Sequence, residues 1–320
     1  MTQSRYRLGV IVLGVTGALL LGGCARQPDP RLDVTASTYA RSDLWLRAAT
    51  AETALSQAYL VALSTNLIPQ CQGWCPAAAA MHTAHATVLG QPDPWGGFIA
   101  PAPAPTPVDA VYPDADAVMQ DLQQAAQNAL SADQAGLTSA SPGPEALLWA
   151  SLVATAQVSV AWATDPSIQR PAPIAGSVVP SHVDVGSTVD AAAKALDTVN
   201  TLIYALTTAS AQASTSQDLR QQLARRLGNA ARQRDNLQTV IVAAGATPSP
   251  PALSYLLPDG VASDDAVRAT WGALELTLAT DYVRLSSTMT TGDAPGTVAQ
   301  ADFATATALG QTLTWWPGWG

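Results

Sequence analysis

"SQDLRQQLARRLGNAARQRDNLQTVIVAAG", residues 216–245, is the stretch whose reading decides the fold. At a helical period its apolar stripe runs Leu219, Leu223, Leu227, Ala230, Arg234, Leu237, Ile241, with charged and amide side chains on the other faces. Ser216 or Gln217 supplies a start, and Gly245 a C-terminal stop. A helix this long with one narrow apolar stripe buries that stripe only against other helices. Arg234 falls on the stripe, and a buried arginine needs a carboxylate partner. Glu275 and Asp302, near the stripes of later helices, are the carboxylates an internal ion pair would use. The competing reading puts Arg232, Arg234 and Asp235 on a solvated face.

Working outward, the pattern repeats. Val189, Ala192, Leu196, Val199, Ile203 and Leu206 mark a preceding helix from about Thr188. Asp264 to about Thr288 and Thr297 to about Trp316 give two more, so residues 188–320 read as a four-helix bundle. An N-terminal group of four is expected at Asp43 to about Asn66, Pro76 to about Leu89, Asp114 to about Ala135 and Pro144 to about Thr164. Proline in the first turn suits the second of these. "PDPWGGFIAPAPAPTPVDAVYP" (92–113) is too rich in proline to be helical and reads as an extended excursion within this bundle, residues 42–166. Residues 167–187 read as a linker. The expected class is all-α, two helical bundles. The two halves also resemble weak copies of one another, each with a tyrosine in its first helix (Tyr59, Tyr204), a Pro-x-Pro after its second and tryptophan in its last.

Composition agrees. Alanine is about a fifth of the 320 residues, beside two Phe, three Glu (Glu52, Glu145, Glu275), three His and a single Lys, Lys194. Alanine favours helix and lets helices approach closely. The net charge of −9 gives no basic footprint for nucleic acid, and no partner of that kind is expected.

The N-terminus assigns a place. Arg5 and Arg7 precede "LGVIVLGVTGALLLGG" (8–23), and "LGGC" (21–24) follows the pattern of a bacterial lipobox. Residues 1–23 are then a lipoprotein signal peptide whose removal takes the charge to −11, Cys24 the acylated first residue, and 24–41 a tether. Two acyl chains make a stable anchor at the outer face of the cytoplasmic membrane. In an oxidising compartment the remaining pair, Cys71 and Cys75 in "CQGWC", is expected to form a disulfide that pins a turn.

From about Asp190 onward the chain resembles an actinobacterial ferritin-like domain family of unknown function. The residues that carry the resemblance are Tyr204, "RQRDNL" (232–237), "GATPSPPALSYLLP" (245–258), "LE" (274–275) and "WWPG" (315–318). Ferritin-like bundles often hold iron with carboxylates and histidines. The family's first helix commonly reads Ala-Glu-His-Ala-x-x-Tyr; here the stretch is "TVNTLIY" (198–204), so Val199 and Asn200 stand where the acid and imidazole would be. The resemblance therefore implies a ferritin-like bundle stripped of metal ligands, without a cofactor.

In the first half, His82 and His85 at i, i+3 face one way, and Glu52 and Glu145 are the carboxylates that would join them in a metal site. Helix-surface roles are the bland alternative. Ser181, His182 and Asp184 are adjacent in "PSHVD", whereas triad residues converge from separate segments, so these read as linker. Trp315, Trp316 and Trp319, with Trp271, either stack a ligand or close the bundle end. No G-x-G-x-x-G, P-loop or G-x-S-x-G occurs. The expected function is a non-catalytic, lipid-anchored binding or scaffold module for an envelope protein or apolar ligand. Its alternative is a metal-binding protein or metal-dependent enzyme at His82 and His85.

Overall fold

Alanine-rich periodicity becomes eight α-helices among the described residues: α1 (Asp43–Ser64), α2 (Cys71–Gly90), α3 (Ala115–Ser139), α4 (Pro144–Thr164), α5 (Thr188–Ala211), α6 (Gln217–Ala243), α7 (Asp264–Thr288) and α8 (Gly296–Ala308). This computed structural model describes residues 42–91, 93–95, 111–167, 170–176, 180–212, 214–289 and 296–319. The expected signal peptide, Cys24, the expected tether and most of the proline-rich excursion lie outside them.

Side-chain caps start several helices. Asp114 accepts from the Ala117 N–H, Ser216 from Leu219 and Ser263 from Ala266, while Ser187 and Asp190 form a reciprocal capping box. Each cap contributes about 1 kcal/mol. Pro144 occupies the first turn of α4, where its missing N–H costs nothing.

Two helices differ from expectation. α2 begins at Cys71, a turn before Pro76, so the proline lies inside the helix and Cys71 and Cys75 fall on one face at i, i+4. They form a disulfide. α8 stops at Ala308 rather than running to Trp316, and Gly310 takes a left-handed turn (φ +90°) suited to glycine. The chain then returns as an extended segment. Thr314 bridges Ile174, with Ile174 N–H on the Leu313 carbonyl (2.9 Å) and Trp315 N–H on the Ile174 carbonyl (3.2 Å).

α1 packs on α2 and α3, and α3 on α4; α5 packs on α6 and α7, and α7 on α8. The two groups of four are joined by α4, which packs against both α7 and α8, so the eight helices form one compact unit. α4 is long and apolar enough to cross a membrane, but 89% of its apolar window is buried inside the protein. It is a core helix. Gly136 lets α3 approach it closely: an added Cβ would sit 2.3 Å from the Trp149 ring.

Candidate metal centre

α1 carries Glu52 inward and α2 carries His82 and His85 on its facing side; all three are fully buried. In a chain with three Glu and three His, this puts one of the former and two of the latter at a single point. His82 Nδ1 stands 2.6 Å and His85 Nδ1 3.2 Å from Glu52 Oε2, and the three ligand atoms lie within 4.8 Å of one another. Two ligands at ~2.0–2.1 Å from one tetrahedral zinc ion stand roughly 3.3 Å apart, so His85 is already spaced for it and His82 needs a shift of under about 1 Å.

The outer nitrogens are held too. His85 Nε2–H donates to the Trp315 carbonyl (2.8 Å), and His82 Nε2 pairs with Ser159 Oγ on α4 (2.9 Å). A neutral His85 that donates through Nε2 presents its Nδ1 lone pair to a carboxylate oxygen. A cation between them, or a second proton on the ring, relieves that opposition. Metal-binding imidazoles commonly show this outer donation to carbonyl or hydroxyl. Tyr59 stacks on His82 (centroids 5.7 Å apart) and Trp316 lies against His85 (4.6 Å).

Asp133, on α3, meets the other side of Glu52. Its two oxygens and Glu52 Oε1 are buried with no N–H donor, and the two carboxyl groups lie within hydrogen-bonding reach of each other. Burial, then the Glu52 charge, pushes the Asp133 carboxyl well above its usual range. Burial pushes Glu52 up as well, but the facing His82 and His85 outweigh it and hold it well below the usual carboxylate range. Burial pushes His82 down toward its neutral form, with Glu52 opposing. The cluster sets both Nδ1 atoms against one Glu52 carboxylate oxygen, and this mix of imidazole and carboxylate ligands suits a divalent transition metal.

Glu145 does not join it. It is exposed at the start of α4, where the Trp149 indole N–H points to it at 3.4 Å. The residue α4 contributes is Ser159, fully buried toward the C-terminal end of the helix. Asp133 carried a legible signal that was missed: it lies on the α3 stripe of Val118, Leu122, Ala126, Ala129 and Gly136.

The second group holds a different cluster. Arg226 pairs with Glu275, through Nε and Nη2, and with Asp302 (3.2 Å); Gln233 also donates to Asp302, and Trp271 Nε1–H to Glu275. The carboxylates of the expected ion pair are these, but its arginine is not Arg234, which is partly exposed beside Asp235 (2.7 Å). Adjacent Arg226 and Leu227 competed for the stripe, and the ion pair drew the arginine in while Leu227 is half-buried. Val199 and Asn200 are both buried in α5. Ser181, His182 and Asp184 lie between α4 and α5. Trp271, Trp316 and Trp319 are buried in the core and Trp315 is half-buried against it.

No curated protein and no solved structure matches the chain. Residues 191–316 match the model of a family described as a domain of unknown function, DUF4439, a span that takes in Arg226, Glu275 and Asp302 and leaves out Glu52, His82, His85 and Asp133.

Proposed function

We propose that this protein is a lipid-anchored envelope protein that binds one divalent transition-metal ion through Glu52, His82 and His85. The observation that carries the reading is the convergence of Glu52, His82 and His85 in a buried pocket, with both Nδ1 atoms facing Glu52 Oε2. Complete burial of all three ligands favours holding an ion over turning over a substrate, since catalytic sites keep an open position. The second group, in this reading a ferritin-like bundle, has a guanidinium among its carboxylates and takes no metal there. Anchoring through Cys24 rests on the lipobox, and the Cys71–Cys75 disulfide supports an oxidising compartment.

Metal analysis of the purified chain after zinc loading and desalting tests the reading. Wild type is expected to hold about one ion per chain, and the double variant His82→Ala/His85→Ala below about a tenth. Substoichiometric zinc in both overturns it. Anchoring is checked separately: labelled palmitate should enter wild type and be absent from Cys24→Ala.

A scaffold function is the second reading. It is favoured by Leu253 and Leu256, both fully exposed in the loop between α6 and α7.

A further inference from the structure

The metal pocket is built from α1, α2 and α3, yet the group that holds one of its ligands comes from the far end of the chain. Trp315 is separated from His85 by 230 positions, and its carbonyl accepts the His85 Nε2–H at 2.8 Å. Next to it, the Trp316 ring lies 4.6 Å from the imidazole and is itself 4% exposed. Resting on the metal-binding reading above, we propose that residues 313–319 are the closing element of that site: the Trp315 carbonyl positions His85, and the Trp316 ring shuts the bound ion off from water.

The segment is fixed on both sides of these contacts. Upstream, Leu313 and Trp315 hydrogen-bond to Ile174 through their backbones. Downstream, Arg284 Nε–H on α7 donates to the Gly318 carbonyl (2.7 Å), and Gly318 adopts φ +93°. A Cβ there would come within 2.9 Å of Leu147 and Val283, so the chain passes between α4 and α7 at a distance only glycine allows. These ties set the height of the Trp315 carbonyl above His85.

The carbonyl has a chemical consequence. A backbone oxygen only accepts, so it keeps the proton on His85 Nε2 and leaves Nδ1 as the metal-binding nitrogen. Such outer partners fix ring orientation, and their loss typically weakens metal affinity 10–100-fold. Trp316 acts by exclusion. With its ring removed, water reaches a ligand that is otherwise fully buried, and the ion exchanges with solvent. Residues 313–319 follow α8 in the chain and are tied to α7 through Arg284, so the second half of the chain governs retention of an ion bound by the first.

The test compares the purified full chain with Trp316→Ala, Trp316→Phe and a chain ending at Thr312. Each is loaded with zinc, and release to a chromogenic chelator is timed; a parallel cobalt(II) loading gives the visible ligand-field spectrum. Trp316→Ala and the shortened chain are expected to release zinc at least about tenfold faster and to show altered cobalt bands. Trp316→Phe, which keeps a ring on His85, should restore slow release. General destabilisation alone would not move the cobalt spectrum of a chain that remains helical by circular dichroism. Should the shortened chain fail to fold, Trp316→Ala decides the matter in the full-length context. Wild-type release rates and cobalt spectra in the folded variants overturn the closure and leave metal binding standing. A wild-type chain that retains no zinc overturns both.

Discussion

Arg226 and Arg234 lie on the same helix and differ in what replacing them should do. Arg226 is 8% exposed and pairs with the buried acids Glu275 and Asp302, so Arg226→Ala leaves that acid pair without a counter-charge. Loss of one partner of a buried pair costs about 3–5 kcal/mol. Arg234→Ala, at a partly exposed pair, should stay within about 0.5 kcal/mol. Urea unfolding of the two variants checks the contrast, and equal losses would contradict it. Asp302 adds a pH signature. Burial, then the neighbouring Glu275, raises its folded-state pKa well above the usual value, with Arg226 opposing. The folded protein thus binds that proton more tightly than the unfolded chain. The contribution is complete below about pH 4 and is lost as pH rises through the folded pKa. Asp302→Asn removes it. The melting temperature of the variant minus that of wild type should therefore grow from pH 4 upward; a difference that shrinks with pH refutes the assignment.

Among the elements, the contact between α3 and α4 is the most exacting. Gly136→Ala would drive a methyl into the Trp149 ring, itself fully buried, and overpacking of this kind costs about 1–3 kcal/mol. Chemical denaturation tests it, and an unchanged midpoint would show that the ring moves aside freely. This contact was not legible in the sequence, because glycine in a helix signals weakness before it signals proximity. What was legible is the helical class and most helix starts, where Asp114, Ser187, Ser216 and Ser263 cap. Two ends were not. Pro76 read as a first-turn residue, although α2 starts at Cys71. The run to about Trp316 read as helix, although Gly310 ends α8 and tertiary contacts to Ile174, Arg284 and His85 set the path beyond it. Local sequence carries caps and stripes; it does not carry which distant carbonyl meets which imidazole.

At the scale of the whole molecule, two groups of four helices carry two solutions to one problem, a carboxylate in a helical core. In the first group Glu52 faces two imidazoles; in the second Glu275 faces a guanidinium. His82, His85 and Glu52 were legible as a constellation because i, i+3 spacing puts both rings on one face. Glu145 was drawn into it wrongly, since the order of helices does not tell how deep along its axis each residue lies. The family match covers the second group, and the candidate metal centre lies in the first. α4 and the returning C-terminal segment tie the two together. Zinc K-edge X-ray absorption on the loaded full chain tests the central claim most directly. The account predicts nitrogen and oxygen neighbours at ~2.0–2.1 Å with the outer-shell scattering of two imidazoles. A spectrum with sulfur at ~2.3 Å, or without imidazole scattering, would contradict it.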